Sequence, residues 1–318
     1  MNFSVFIDRN YLYPALVSLI SATGSMPGST LFHIGSFERE LNQTDKDHLK
    51  TVFNSLGAQL QFLEVSKEAL IDEIGEIDNK QHFGYSAFGR LALQRQIIEK
   101  HIYSDVDVLF HQDGLESIKQ LTSSERIGFV GQSDAYALAG LPCAEQNEEF
   151  FSGFVYWPEI HRRPDLTFDS PQIWITPYST HDQALLNMKI GQQFDRLDPI
   201  FCQLDNPLLD ASAYKPGILH YFGNWKPWQA VGKARSRCHS KNCSWTLWFT
   251  AEEEAKRLLN SIGLGPWFRE LRRVSLQGAP KNLKLLRRVL CAGRMTGTIF
   301  VIAWLIRFLW KDEKHLIH

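Results

Sequence analysis

The stretch 3–34, FSVFIDRNYLYPALVSLISATGSMPGSTLFHI, decides the fold class. Phe3–Ile7 is a short apolar run of β-forming residues, and Thr30–Ile34 is a second. Between them, from about Tyr13 to Ala22, apolar residues recur at helical spacing. Strand, helix and strand in that order make a crossover unit, the connection that parallel strands require. The alternation continues downstream. A helix is predicted around Asp47–Leu56 and a strand over Gln59–Val65. A helix over Ala87–Ile98 would bury Phe88, Leu91, Ala92, Leu93, Ile97 and Ile98, and Ile102–Phe110 reads as a further strand. The predicted fold is α/β, a mixed, mostly parallel sheet covered on both faces, with ligands at the carboxyl ends of its strands. The stretch 133–207, punctuated by seven prolines from Pro142 to Pro207, reads as mixed and loop-rich.

Composition narrows the class. With 318 residues, 44% hydrophobic and 22% charged, the chain can bury a substantial core and is not disordered, collagenous or a disulfide-stapled miniprotein. Five scattered cysteines give no disulfide framework and suit a reducing compartment. The start MNFSVFIDRN has no basic segment followed by an apolar one, so no signal peptide is expected and the expected location is cytoplasmic. Neither the glycine fingerprint of dinucleotide folds nor that of P-loop ATPases occurs. The net charge of −1 divides unevenly, because residues 269–318 hold eleven Lys and Arg against three acids. We therefore expect an acidic body over 1–234 and a smaller helical, basic region over 235–318.

Four segments carry candidate chemistry. In an extended chain Asp105 and Asp107 share one side, where two carboxylates can hold a divalent cation. Spacing alone leaves a strand-end pair in water equally open, and the chain contains a second such spacing, Asp45-Lys46-Asp47, which reads as the solvated first turn of a helix. His220, Gly223 and Lys226, three apart in HYFGNWKPW, suit a polyphosphate with its metal: a ligand, a close backbone approach and a point charge. A packed aromatic turn is the other reading. Asp182-Gln183 opens a helix, where an acid can also simply cap it. Asp8-Arg9-Asn10-Tyr11 follows the first strand, either as a turn or at the mouth of the sheet.

These segments, in this order, resemble glycosyltransferase family 8, the group of glycogenin and the bacterial lipooligosaccharide galactosyltransferases. The likeness runs from about Val5 to Trp228 through FIDRNYLYPALVSLIS, GYSAFGRLAL, IYSDVDVLF, FFSGFVYWP, HDQALLN and HYFGNWKPW. It implies a GT-A fold, a UDP-sugar donor, Mn²⁺ (or Mg²⁺) and transfer with retention. Carried over, Asp105, Asp107 and His220 would hold the metal, and Gly223 and Lys226 the diphosphate. Asp8, Asn10 and Tyr11 would receive the uracil and ribose, with Val106 beside the ribose and Arg90 on the donor. Asp182 and Gln183 would line the donor sugar as the catalytic pair. A carboxamide is a weak nucleophile, so front-face attack by the acceptor, assisted by the leaving UDP, is the expected route. Where relatives show Asn-Ala-Gly this chain has Ser152-Gly153-Phe154, which alters the sugar pocket and leaves the sugar open. The function expected is hexosyl transfer to an oligosaccharide or lipid-linked saccharide in lipopolysaccharide or capsule synthesis. The alternative is an inactive nucleotide-sugar-binding or scaffold protein of the same fold.

The tail supplies the last expectation. Residues 299–306, IFVIAWLI, are apolar throughout, but a twelve-residue helix spans roughly 18 Å against ~30 Å of hydrocarbon. Arg307, Lys311 and Lys314 form a basic stripe, which fits peripheral attachment to the anionic inner face of the cytoplasmic membrane. No nucleic-acid motif accompanies it, so nucleic acid is not an expected partner. Cys238, His239 and Cys243 lack the fourth ligand of a closed zinc site, and the other cysteines read as ordinary thiols.

Overall fold

The computed structural model describes residues 1–26, 28–75, 85–111, 118, 124–143, 148–164, 181–191, 193–206, 209–222, 226–230, 235, 236, 238 and 242–277. The opening stretch folds as β1 (Asn2–Phe6), α1 (Leu12–Ser25) and β2 (Leu31–Phe37). There follow α2 (Gln43–Ser55), β3 (Gln59–Val65), α3 (Lys67–Ile74), α4 (Ser86–Leu93), β4 (His101–Ser104) and β5 (Val108–His111). The second half carries β6 (Gly128–Gly131), α5 (Gln132–Leu138), β7 (Phe150–Trp157), α6 (His181–Ile190), β8 (Asp195–Arg196), β9 (Gln203–Leu204) and β10 (Gly217–His220). Two helices close the described chain, α7 (Trp245–Ser261) and α8 (Gly265–Gln277).

A seven-stranded sheet runs β3-β2-β1-β4-β7-β6-β8, and a three-stranded sheet runs β5-β10-β9. Strands β3, β2, β1 and β4 are parallel, whereas β7 is antiparallel to both neighbours. Side chains alternate across the sheet, so Phe3, Val5 and Ile7 pack on one face with α1, while Phe6 joins Leu91, Phe129, Phe150 and Leu186 on the other. Both faces are therefore covered, as a parallel sheet demands.

Four sequence expectations need correcting. Ile102–Phe110 is not one strand: it breaks at Asp105-Val106-Asp107, with β4 in the large sheet and β5 in the small one. The helix read over Ala87–Ile98 stops at Leu93, and Ile98 is 65% exposed. Arg163 gathers the carbonyls of that bend, donating to the oxygens of Gln94, Ile97 and Glu99. The loop-rich stretch 133–207 contains β7, a wholly buried central strand that no apolar alternation could reveal. Asp45 is not solvated; it is 1% exposed, 3.2 Å from Arg9 Nε, and accepts a 3.0 Å bond from Trp267 Nε1.

The closing helices share the core of the body. Phe268 of α8 lies against Tyr13 of α1 with ring centroids 4.9 Å apart, and Trp248 of α7 packs on Trp228 and Tyr221. Tyr13 donates to Glu252, a carboxylate 2% exposed that also meets Arg235 and, at 3.6 Å, Arg272. No described helix is long and apolar enough to cross a membrane. The basic tail from residue 278 onward, with the apolar run 299–306, lies outside the described residues.

Candidate active site

The break between β4 and β5 builds the centre of the site. Asp105 N–H bonds to Gly153 O of β7 at 2.8 Å, which anchors the chain to the large sheet. Two residues later Asp107 O accepts Tyr221 N–H at 2.9 Å, which anchors it to the end of β10. Val106 is buried between them. The two carboxylates thus project where the sheets meet, and His220, the last residue of β10, faces them. Ligand atoms of Asp105, Asp107 and His220 lie within 4.8 Å of one another, the one such group among the described residues.

Charges around Asp107 are matched. His220 Nε2 lies 3.3 Å from its Oδ1 and Lys226 Nζ 2.5 Å from its Oδ2. Burial alone would raise the Asp107 carboxyl, but Lys226 and His220 overcome it and hold it well below the usual carboxylate range. Burial would likewise lower His220, yet Asp107 outweighs it and the imidazole is pushed up to about 10. Lys226 also donates to Tyr221 O at 2.5 Å, so its ammonium is held from two sides.

Asp105 belongs to a second network. Its Oδ1 accepts the Tyr103 hydroxyl at 2.8 Å and Arg90 Nη1 at 3.2 Å. Arg90, 7% exposed, also donates to Ser152 O at 2.7 Å and Ser152 Oγ at 2.6 Å, and pairs with Asp182. Gln183 Oε1 accepts from Ser152 Oγ at 3.2 Å, so the first turn of α6 is tied to β7. Asn187, one turn further along α6, bonds both backbone groups of Phe150, which fixes the register of that contact.

At the end of β1, Asp8 caps the turn Arg9–Tyr11, its Oδ1 accepting the N–H groups of Asn10 and Tyr11, and its Oδ2 accepts Ser86 Oγ at 3.1 Å. Asn10 is exposed. Tyr11 is 45% exposed; partial burial, and then Asp107, Asp8 and Asp105, push its pKa up to about 12. The structure therefore brings Asp8, Tyr11, Arg90, Asp105, Val106, Asp107, Ser152, Asp182, Gln183, His220 and Lys226 to one end of the sheets. Gly223 lies outside the described residues.

Three contributors were missed or only partly read from the sequence, Gly153 having been noted only as part of the sugar pocket. Tyr103 stands two residues before Asp105, on the same side of the strand, and that spacing was its only signal. Gly153 leaves room where a Cβ would come within 2.6 Å of His220 Cε1 and 3.1 Å of Asp105 Oδ2. Cys202, read as an ordinary thiol, places its sulfur 3.5 Å from His220 Nδ1.

Two carboxylates and an imidazole form a hard, mixed donor set that suits Mn²⁺ or Mg²⁺ better than a thiophilic metal. Lys226 holds one oxygen of Asp107, which leaves the other, Oδ1, beside His220 Nε2 on the side a cation would share with Asp105. The sequence pattern described as "Glycosyl transferase family 8" matches residues 2–232. No curated protein matches by sequence. Among solved structures, the galactosyltransferase LgtC in complex with donor and acceptor sugar analogues is similar at a TM-score of 0.55 with 18% identity, over 82% of this chain and 96% of that one. The bifunctional glycosyltransferase WbbM is similar at 0.54 with 14% identity, over 87% of this chain and 52% of that one. The glycosyltransferase GlyE of Streptococcus pneumoniae TIGR4 is similar at 0.52 with 17% identity, over 80% and 63%. With the pattern covering most of its length and a GT-A architecture beneath it, the chain belongs to glycosyl transferase family 8 and is a glycosyltransferase.

Proposed function

We propose that the enzyme takes its hexose from a UDP-sugar, with Mn²⁺ (or Mg²⁺) held by Asp105, Asp107 and His220, and passes it to an oligosaccharide or lipid-linked saccharide. The observation that carries this reading is the convergence of those three ligands with Lys226 where the two sheets meet. When bound, a divalent cation neutralises charge on a diphosphate as it leaves. The chain's own residues do the rest. Lys226 places an ammonium beside the diphosphate, and Gly223 offers it a backbone N–H. Asp8, Asn10 and Tyr11, with Val106, receive the nucleoside. Arg90, its fork taken up by Asp105, Ser152 and Asp182, serves the donor by holding those three side chains in place around it. Gln183, its oxygen engaged by Ser152, orients toward the sugar without free nucleophilic character. Asp182 is likewise held in an ion pair, so attack by the acceptor hydroxyl on the face that UDP leaves is the route these residues favour.

The basic tail fits the same reading. Eight Lys and Arg against two acids after residue 278, with the apolar run 299–306, suit peripheral binding to an anionic membrane that presents a lipid-linked acceptor in lipopolysaccharide or capsule synthesis. Such binding would hold the enzyme on the cytoplasmic face. UDP release from a panel of UDP-sugars, with and without Mn²⁺, tests the chemistry in wild type and Asp107→Ala. Slow, metal-dependent hydrolysis of one donor, lost in the variant, is expected. No turnover of any donor by a protein that still binds UDP would favour a non-catalytic binder. Co-sedimentation with phosphatidylglycerol but not phosphatidylcholine vesicles, weakened by salt, is the outcome expected for the tail.

A further inference from the structure

We propose that Cys202 is a positioning residue for His220, a role that rests on the metal site proposed above. An imidazole offers a lone pair from one nitrogen only when the other carries its proton, so the partner of the second nitrogen decides which atom faces a cation. His220 points Nε2 toward Asp107, at 3.3 Å from Oδ1, and Nδ1 toward Cys202 Sγ, at 3.5 Å. Both residues are buried, at 7% and 1% exposure, so water does not readily substitute for the sulfur. The ring is confined on another side by Gly153, whose missing Cβ would lie 2.6 Å from Cε1 and 3.0 Å from Nδ1.

The sulfur is itself held in place. Cys202 ends the short turn Pro199–Cys202, which Asp198 caps by accepting Ile200 N–H at 2.9 Å. The chain then enters β9, which pairs in parallel with β10, Leu204 opposite His220. Gln203 clamps the same junction, donating to Lys215 O at 2.9 Å and accepting Lys215 N–H at 3.0 Å. The turn lies so close to β10 that a Cβ on Gly217 would meet Ile200 O at 2.4 Å. These contacts deliver the thiol to Nδ1, which keeps its proton there and leaves Nε2 for the metal. Sulfur is a weak acceptor, so it orients the ring less firmly than the carbonyl or carboxylate that usually stands behind a metal-bound imidazole.

Mn²⁺ affinity of the full chain, read from the free-ion electron paramagnetic resonance signal without nucleotide, tests the assignment independently of turnover. Cys202→Ala is expected to weaken binding about tenfold, the lower end of the range for an outer partner. Cys202→Asn, whose carboxamide oxygen can accept the same N–H, is expected to bind as wild type or more tightly. Cys143→Ala serves as the thiol control, and thermal melts verify folding of each variant. Equal affinity in wild type and Cys202→Ala would overturn the proposal, as would equal weakening in the Ala and Asn variants, which would reduce Cys202 to packing. Binding by wild type that is no tighter than by Asp107→Ala would remove the metal site and this role with it. Loss in Asp107→Ala beside an unchanged Cys202→Ala would overturn the positioning role alone.

Discussion

Arg90 shows how closely charge is matched at this site. Its guanidinium is the shared partner of Asp105, Ser152 and Asp182, and Asp182 is only 6% exposed. Removing the cation leaves a buried carboxylate uncompensated, which costs about 3–5 kcal/mol in comparable pairs. Arg90→Met is expected to lose stability on that scale in denaturant unfolding. Arg90→Lys should lose less, because it keeps a charge while giving up the planar fork. Wild-type stability in Arg90→Met would mean that Asp182 is not held as a carboxylate by this pair. At this scale the sequence was legible where chemistry is local. Asp105 and Asp107 announce themselves by spacing, and His220 and Lys226 by residue type within one short stretch of sequence. Cys202 does not, because it meets His220 only through the parallel pairing of β9 with β10. Arg90, Ser152 and Asp182 were legible through family resemblance, but their mutual bonds were not, since they come from α4, β7 and α6.

The first half of the fold was readable because each element there shows its own period. β7 was not, since a strand buried on both faces shows no alternation of apolar and polar residues, and the break at Asp105-Val106-Asp107 was hidden by apolar residues on either side. The strands also carry a pH response. His33 of β2 and His101 of β4 flank β1, opposite Ser4 and Asn2, and are 5% and 1% exposed. Burial lowers both pKa values, and the Arg163 guanidinium lowers His101 further. A histidine kept neutral by folding binds fewer protons than it does unfolded. Its contribution is complete above the unfolded value of about 6.5 and declines as the pH falls through it. The melting temperature is expected to drop between about pH 7.5 and pH 5.5. The drop should be smaller in His101→Asn; an equal drop would take His101 out of the account.

As a whole molecule, the described chain is bound by a core that runs from Phe3 on β1 to Leu271 on α8. Glu252 ties α1, α7 and α8 through Tyr13, Arg235 and Arg272, and Trp267 reaches Asp45 on α2. Elements that share buried partners in this way melt together. Calorimetry is expected to show one transition for the body and these helices. A separate, earlier transition abolished by truncation before Trp245 would show instead that the helices are an independent unit.

The seam between the sheets gives the site a mechanical character. One carboxylate directly follows a strand of the large sheet and the other directly precedes a strand of the small sheet, with a single residue between them. The pair acts as the jaws of a calliper whose arms are the two sheets. A ligand that bridges both jaws would tie one sheet to the other across a single residue. Affinity for such a ligand is therefore a gauge of the whole scaffold's alignment, and a substitution far out on β9 or β10 can be read at the jaws before it is read in the stability of the fold.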